Sequence, residues 1–178
     1  MKNIVLIGYR CTGKTEVGRH VARALSLQFI DTDEWVEKDM DMSVLQIVSK
    51  YGWSKFRDVE RKIVARVSKQ PDAVISCGGG AVRDDSNVEN LKRHGVVVWL
   101  GARPEVIFER MKGDSKTESQ RPSLTEKDGL SEVKDVLSAR VSKYVAASDY
   151  KVDTSDIALD EVVSQVLRIF KRNKRLLI

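Results

Sequence analysis

The sequence has few cysteines, few aromatic residues and no long apolar run, and each shortage argues against a class of protein. Its two cysteines, Cys11 and Cys77, are too few for a disulfide framework, which favours a reducing, cytoplasmic compartment. No apolar stretch approaches membrane-spanning length and no leader-like region is evident, so we expect no membrane association. Aromatic residues make up only 6% and the basic residues are dispersed. A small anionic substrate explains the net charge of +5 as well as nucleic acid does, and we expect no nucleic-acid partner.

Strand-like and helix-like segments alternate along the 178 residues, of which 42% are hydrophobic and 32% charged. This length suits a single domain, residues 1–178. The strand segments lack a polar face, which predicts an α/β fold with a parallel sheet covered by helices on both sides. We predict strands over 3–7, 27–31, 72–77, 95–101 and 150–153, and helices over about 14–25, 33–50, 54–69, 84–94, 104–111, 130–147 and 158–171.

Residues 112–124, "KGDSKTESQRPSL", interrupt this regular pattern. The segment is polar, contains Gly and Pro, and predicts a mobile surface loop of a length that is often functional. It holds Arg121 directly before Pro122. An arginine that closes over a triphosphate from such a loop could stabilise the charge on the transferring group, although a lone loop arginine is more commonly a surface residue.

Residues 8–15, "GYRCTGKT", fit the phosphate-binding pattern G-x-x-x-x-G-K-[ST] between a buried strand and an amphipathic helix. The glycines let backbone N–H groups point inward, and the helix adds its positive N-terminal end. Lys14 can supply a point charge for the β- and γ-phosphates, and the Thr15 hydroxyl can ligate Mg²⁺. We expect the phosphates of ATP to contact this loop and the start of its helix: Gly8, Tyr9, Arg10, Cys11, Thr12, Gly13, Lys14, Thr15 and Glu16.

Two aspartates, Asp31 and Asp33, end the second predicted strand as "DTD". Ligands of open parallel sheets lie at the carboxyl ends of the strands, so both carboxylates are expected near the phosphate loop. Asp31 could hold Mg²⁺ through water, and Asp33 could orient the acceptor hydroxyl or take its proton. An aspartate N-cap on the next helix would explain one of them but not both.

The third strand ends in "CGGG", where a generic phosphate-loop enzyme often has a metal-binding aspartate. The three glycines, Gly78 to Gly80, allow a ligand to approach the backbone closely, and the missing aspartate argues against an ATPase motor or a GTPase. Arg57 and Arg140 have the planar fork that binds a carboxylate or phosphate. Either one taken alone could be a surface salt-bridge partner, since Asp58 and Glu60 lie near Arg57.

Together these segments resemble the shikimate kinases over nearly the whole chain. The matching motifs are "GYRCTGKT", "DTD", "YGWSKFRDVE", "CGGGAV", "VVWLGARPEVIFER", "RPSL", and "RVSKY" followed by "YKVDTS". The resemblance implies a nucleoside-monophosphate-kinase-type fold, a five-stranded parallel sheet in the order 2-3-1-4-5 with a mobile lid at about 112–124. It also implies transfer of phosphate from ATP, with one Mg²⁺ per subunit, to the 3-hydroxyl of shikimate in aromatic amino-acid biosynthesis.

The same resemblance implies roles for individual residues. Lys14 and Thr15 would serve the phosphates and Mg²⁺, and Asp33 would contact the shikimate hydroxyls. Arg57 and Arg140 would clamp the shikimate carboxylate, within a substrate region that includes helices at about 33–62. The remaining implied contacts are Gly78, Gly79 and Gly80 along the shikimate pocket, Arg121 near the transferred phosphoryl group, and Arg110 with the loop after Val152 beside adenine.

Cys11 stands where the family usually has a loop glycine. Its position predicts that oxidation or alkylation inhibits and that ATP protects, although two small buried fillers would explain Cys11 and Cys77 equally simply. A gluconate kinase of the same fold is the alternative enzyme, and a regulatory nucleotide-binding protein is the alternative class. The retained charged residues favour an active shikimate kinase, and we expect a monomer.

Overall fold

The computed structural model describes residues 2–114 and 129–175. Within these residues five strands and seven α-helices alternate. In chain order they are β1 (Asn3–Ile7), α1 (Lys14–Leu25), β2 (Gln28–Asp31), α2 (Thr32–Met40), α3 (Val44–Val67), β3 (Ala73–Ser76), α4 (Asp85–His94), β4 (Gly95–Gly101), α5 (Pro104–Lys112), α6 (Gly129–Ala147), β5 (Tyr150–Asp153) and α7 (Leu159–Arg175).

The sheet is parallel throughout, in the order β2-β3-β1-β4-β5. This confirms the predicted fold class and strand order. Ser76 at the end of β3 pairs in register with Leu6 of β1 and Asp31 of β2, so the three strands end at nearly the same level. The loops that follow them therefore meet at one edge of the sheet.

Side chains of the central strand β1 alternate between two apolar layers. Val5 and Ile7 pack into a core formed with α2, α3, α4 and α6, while Ile4 and Leu6 pack into a core formed with α1 and α7. All five residues of β1 are buried. A strand covered on both faces has no polar side, which is why its sequence reads as an unbroken apolar run.

The break predicted between the second and third helices coincides with non-helical backbone at Gly52, but a further break inside the predicted second helix was missed. The chain breaks at residues 41–43, where Asp41 adopts a left-handed conformation and Ser43 caps α3. Ser43 and Gln46 exchange side-chain and backbone hydrogen bonds, forming a capping box that the sequence pattern S-x-x-Q signals. Gly52, at the predicted break, has a non-helical backbone with φ +78° and kinks α3. The helix continues beyond it to Val67.

The predicted lid lies largely outside the described part of the chain. α5 ends at Lys112, Gly113 and Asp114 follow, and residues 115–124, including Arg121, fall outside the description. Among the helices that are described, none combines the length and apolarity needed to cross a membrane.

Candidate active site

The loop between β1 and α1 owes its shape to two glycines. Gly8 has φ +144°, and a Cβ at this position would collide with the carbonyl oxygen of Leu100 on β4. Gly13 has φ +89° and is the N-cap residue of α1. Other residues adopt such conformations only at a cost, whereas glycine does so readily. The loop thus leads into the N-terminus of α1, the end of a helix that attracts anions.

Lys14 is buried within this loop and held by it. Its Nζ donates to the carbonyl oxygen of Tyr9 at 2.6 Å, and Thr12 Oγ1 donates to the same oxygen at 2.9 Å. The lysine also lines a cavity that contains Asp31 and Asp33. A cation that is already fixed beside a helix N-terminus is well placed to receive a phosphate group.

The two cysteines have different environments. Cys11 adopts a left-handed backbone conformation with φ +58°, which costs a non-glycine residue about 1–2 kcal/mol, and its Sγ donates to the Asp114 carboxylate at 3.4 Å. Cys77 is buried at the end of β3, and burial raises the pKa of its thiol. Cys77 is therefore a poor nucleophile, while half-buried Cys11 lines the cavity.

The carboxylate of Asp31 caps a helix and also contacts the phosphate loop. Its Oδ1 accepts from the backbone N–H of Asp33 at 3.1 Å, which makes Asp31 the N-cap of α2. Its Oδ2 accepts from the Thr15 hydroxyl at 3.0 Å. The cap therefore orients the carboxylate toward the phosphate loop, and both Asp31 and Thr15 present oxygen atoms in the cavity.

The carboxylate of Asp33 lies against Gly78. A Cβ at Gly78 would overlap Asp33 Oδ1 and would lie 3.0 Å from Glu60 Oε1. The Gly78 N–H donates to Thr32 Oγ1 at 2.9 Å, which joins the glycine loop to the start of α2. Glycine at this position is what allows two carboxylates to approach the backbone after β3.

Arg57 is held by a buried partner rather than by a surface ion pair. Its Nη1 donates to Glu60 Oε2 at 2.6 Å, and Glu60 is only 1% exposed. Its guanidinium also lies about 5 Å from the ring centroids of Trp53 and Phe56. Burial raises the pKa of Glu60, and the positive charge of Arg57 opposes this rise. A Cβ at Gly80 would collide with the guanidinium, so Arg57 faces the glycine loop.

Arg140 on α6 approaches the same glycine loop from the other side. Its Nη1 donates to the Gly79 carbonyl oxygen at 3.2 Å, and the Tyr144 hydroxyl donates to that oxygen at 2.6 Å. Burial lowers the pKa of Arg140, with a further contribution from Arg57, and burial raises the pKa of Tyr144 to about 12. Two guanidinium groups thus converge near one end of the cavity.

Most of the predicted site residues line a single cavity of about 360 Å³. Those lining it are Tyr9, Arg10, Cys11, Gly13, Lys14, Thr15, Glu16, Asp31, Asp33, Arg57, Gly78, Gly79, Gly80 and Arg140. Gly8 and Thr12 belong to the loop backbone beneath it. The phosphate loop and the arginine pair are therefore parts of one site.

Arg110 does not line this cavity but is linked to the phosphate loop. Its guanidinium donates to Thr154 Oγ1 at 3.0 Å and to the Thr154 carbonyl oxygen at 2.5 Å. Thr154 Oγ1 in turn donates to the Thr12 carbonyl oxygen at 3.4 Å. Arg110 and the loop after β5 thus lie beside the phosphate loop, while Arg121 lies outside the described residues.

The sequence analysis named Glu60 only as a possible surface partner and missed Tyr144 as a site residue. Glu60 follows Phe56 by four residues and precedes Ile63 by three, so it interrupts an apolar helix face. A carboxylate on such a face is the signal that could have identified it. Tyr144 follows Arg140 by four residues on the buried face of α6. Nothing in the sequence indicates whether its hydroxyl forms a hydrogen bond in the site or its ring only packs in the core.

The family model described as shikimate kinase matches residues 10–171. A shikimate kinase of Caldanaerobacter subterraneus subsp. tengcongensis is 42% identical over 98% of this chain and 99% of its own length. That of Thermodesulfovibrio yellowstonii is 39% identical over 97% and 96%.

Solved structures give the same result. Shikimate kinase from Acinetobacter baumannii in complex with shikimate superposes with a TM-score of 0.90, at 29% identity over 98% of this chain and 95% of that one. The enzyme from Aquifex aeolicus gives a TM-score of 0.79 at 31% identity, over 97% and 98%. The chain belongs to the shikimate kinase family.

Proposed function

We propose that this chain transfers the γ-phosphoryl group of ATP to the 3-hydroxyl of shikimate, giving shikimate 3-phosphate and ADP for aromatic amino-acid biosynthesis. The observation that carries the proposal is the convergence of Arg57 and Arg140 on the loop Gly78–Gly80, in the cavity that also contains Lys14. One end of this cavity suits a carboxylate and the other suits a triphosphate.

The acceptor would bind through its carboxylate to the two guanidinium groups. Each of them is already fixed by another group, Arg57 by Glu60 and Arg140 by the Gly79 carbonyl oxygen. Preorganised charges lose little conformational entropy on binding, so they give affinity and also set the orientation of the ring. This orientation directs a ring hydroxyl toward Asp33.

The transfer step needs positioning and charge neutralisation more than a strong base. The acceptor oxygen forms a bond to the γ-phosphorus while the bond from that phosphorus to the leaving oxygen of ADP breaks. Asp33 orients the hydroxyl and accepts its proton. Lys14 stabilises negative charge on the phosphates, and Arg121 is proposed to do the same for the transferring group, as the resemblance implies.

Mg²⁺ would be held on the phosphate-loop side by Thr15 and Asp31. The oxygens of these two side chains lie 3.0 Å apart, and hydroxyl and carboxylate oxygens are ligands that this ion accepts. Bound there with the nucleotide, one Mg²⁺ per subunit would neutralise charge on the β- and γ-phosphates. Arg110, next to Thr154 and the phosphate loop, is proposed to flank adenine.

We further propose that the chain acts as a single-domain monomer in the cytoplasm. Among the described residues only four large apolar side chains are exposed, which does not favour an extensive subunit interface. They are Leu45, Tyr51, Val141 and Val145. Neither Cys11 nor Cys77 forms a disulfide, which suits a reducing compartment. Light scattering after size-exclusion chromatography tests the oligomeric state.

The test of function is ADP release in the presence of ATP and Mg²⁺ with four acceptor conditions: shikimate, gluconate, a nucleoside monophosphate and no acceptor. We expect release that depends on shikimate, with shikimate 3-phosphate identified by phosphorus NMR, and near-complete loss in Asp33→Asn. Gluconate-dependent release would favour the alternative kinase. ATP binding without release for any acceptor would favour a regulatory nucleotide-binding protein.

A further inference from the structure

A buried ion pair joins the phosphate loop to α6. Arg10 Nη2 lies 2.9 Å from Glu132 Oε1, and the two side chains are only 11% and 7% exposed. By comparison, the side chains of the Arg19–Glu34 pair are about half exposed. A pair this little exposed holds its geometry because breaking a buried ion pair is strongly destabilising. The contact therefore fixes the loop and the helix relative to each other.

The same contact reaches the arginine that we assign to the acceptor. The ring of Tyr9 lies close to two guanidinium groups, with its centroid 5.5 Å from Arg10 Cζ and 5.9 Å from Arg140 Cζ. Tyr9 also packs against Val133 and Val136 of α6. Arg10 and Arg140 thus both contact one aromatic ring, and Arg140 belongs to α6.

The backbone of Tyr9 connects this arrangement to the nucleotide side of the cavity. Its carbonyl oxygen accepts hydrogen bonds from Lys14 and Thr12. A shift of residues 9 and 10 relative to α6 would consequently move the anchor of Lys14 with respect to Arg140. The relative position of the phosphate-binding and acceptor-binding cations depends on how firmly α6 holds the loop.

Helix α6 can hold Glu132 and Arg140 at a fixed distance from each other because it has a continuous row of buried side chains. Glu132, Val136, Arg140 and Tyr144 follow one another at intervals of four residues and are all buried. Glu132 and Arg140 are therefore two turns apart on nearly the same face of one rigid element.

We propose that Glu132 is a positioning residue for phosphoryl transfer. By holding Arg10, it fixes α6 and Arg140 relative to the phosphate loop, so that the protein binds either substrate more tightly when the other is present. Each ligand restrains the part of the cavity that it contacts, and the Tyr9 contacts together with the Arg10–Glu132 pair extend that restraint to the other ligand's site. This role rests on the proposed function, because the two ligands are the substrates named there.

The test is calorimetric titration of shikimate with and without saturating Mg–ADP, and of Mg–ADP with and without shikimate. In the unaltered protein we expect Mg–ADP to tighten shikimate binding at least about fivefold, within the usual range of coupling between sites, and the reciprocal factor to be the same. In Glu132→Gln the factor falls below about twofold, kcat falls with it, and the affinity for each ligand alone changes less than about threefold.

Lys134→Gln is the matched control, because Lys134 lies on the same helix and forms the half-exposed ion pair with Glu105. It should leave the coupling factor unchanged. Glu132→Asp keeps the negative charge on a side chain one methylene shorter and should retain most of the coupling. It also keeps the test valid if Glu132→Gln fails to fold, which thermal unfolding would reveal.

A coupling factor that is unchanged in Glu132→Gln would overturn the positioning role. So would a factor near one in the unaltered protein, or a loss of affinity for shikimate alone as large as the loss in the presence of Mg–ADP. Failure of the unaltered protein to bind shikimate at all would overturn the proposed function together with this inference. Shikimate binding with unaltered coupling would overturn this inference alone.

Discussion

Gly78→Ala should inactivate the protein by displacing one carboxylate. A Cβ at residue 78 would lie 2.4 Å from Asp33 Oδ1, whereas ordinary contact begins at 3.4 Å, so the carboxylate must move by about 1 Å. It is the end of a short side chain, and it can move without disrupting the sheet. A displacement of about 1 Å in a reacting group costs about 100-fold in rate, or about 2.7 kcal/mol in the barrier.

The assay compares steady-state turnover with nucleotide binding. We expect kcat with shikimate to fall about 100-fold in Gly78→Ala, while the affinity for Mg–ADP stays within about twofold, because the phosphate loop is not touched. The melting temperature should change little. Shikimate affinity should fall moderately, since Asp33 is also proposed to contact the acceptor hydroxyl.

Two further variants separate this explanation from a general effect of the added methyl group. Gly113→Ala is the matched control, because among the described residues its Cβ would have no neighbour closer than the Arg110 carbonyl oxygen at 3.9 Å. In the double variant Gly78→Ala/Asp33→Asn, the loss of kcat should equal that of Asp33→Asn alone, because both changes remove the function of the same carboxylate. Additive losses, or wild-type kcat in Gly78→Ala, would refute the assignment of Asp33.

The remaining predictions concern the acceptor clamp, a buried carboxylate and the loop thiol. Arg57→Ala should weaken shikimate binding about 100-fold in titrations and leave Mg–ADP binding intact; equal loss of both would contradict the clamp. Burial raises the pKa of Glu60 above 4.5, so its contribution to the free energy of unfolding is fully present below pH 4.5 and is lost as pH rises through the raised value. Denaturant titrations across pH should show this decline, and Glu60→Gln should flatten it. Thiol alkylation should inhibit in step with modification of Cys11, and ATP should slow both; full modification with retained activity would refute this.

Local patterns predicted the parts of the fold that depend on local physics. The apolar run of β1 and the glycine spacing of Gly8 and Gly13 gave the first strand, the loop and the start of α1, because burial on two faces and positive φ both restrict residue type. The break at Asp41 was missed, although the S-x-x-Q pattern that starts at Ser43 indicates a capping box and hence the start of a helix. A helix-period pattern continued across it, and the short polar turn carried no glycine or proline.

The aspartates show why a site prediction can be incomplete without being wrong. From the sequence, Asp31 was either a helix cap or a metal ligand, and these were weighed as alternatives. In the structure its two oxygens do different things, Oδ1 capping α2 and Oδ2 accepting from Thr15. The hydrogen bond from the Asp33 N–H fixes the Asp31 carboxylate while Oδ2 still faces Thr15. The capping role therefore supports the proposed Mg²⁺ role of Asp31.

Two neighbouring ion pairs on α3 show that charge spacing in the sequence does not predict which pair is buried. Arg57–Glu60 and Asp58–Arg61 are both spaced by three residues and overlap along the helix. Yet Glu60 is 1% exposed, whereas both side chains of the second pair are about half exposed. An exposed pair contributes about 0–1 kcal/mol, while breaking a buried one costs about 3–5 kcal/mol. The difference arises because Glu60 lies on the helix face that packs toward β3, together with Phe56 and Ile63. Charge spacing alone therefore predicts that arginines can pair, and only the packing of the helix decides which of them is held firmly enough to bind a substrate.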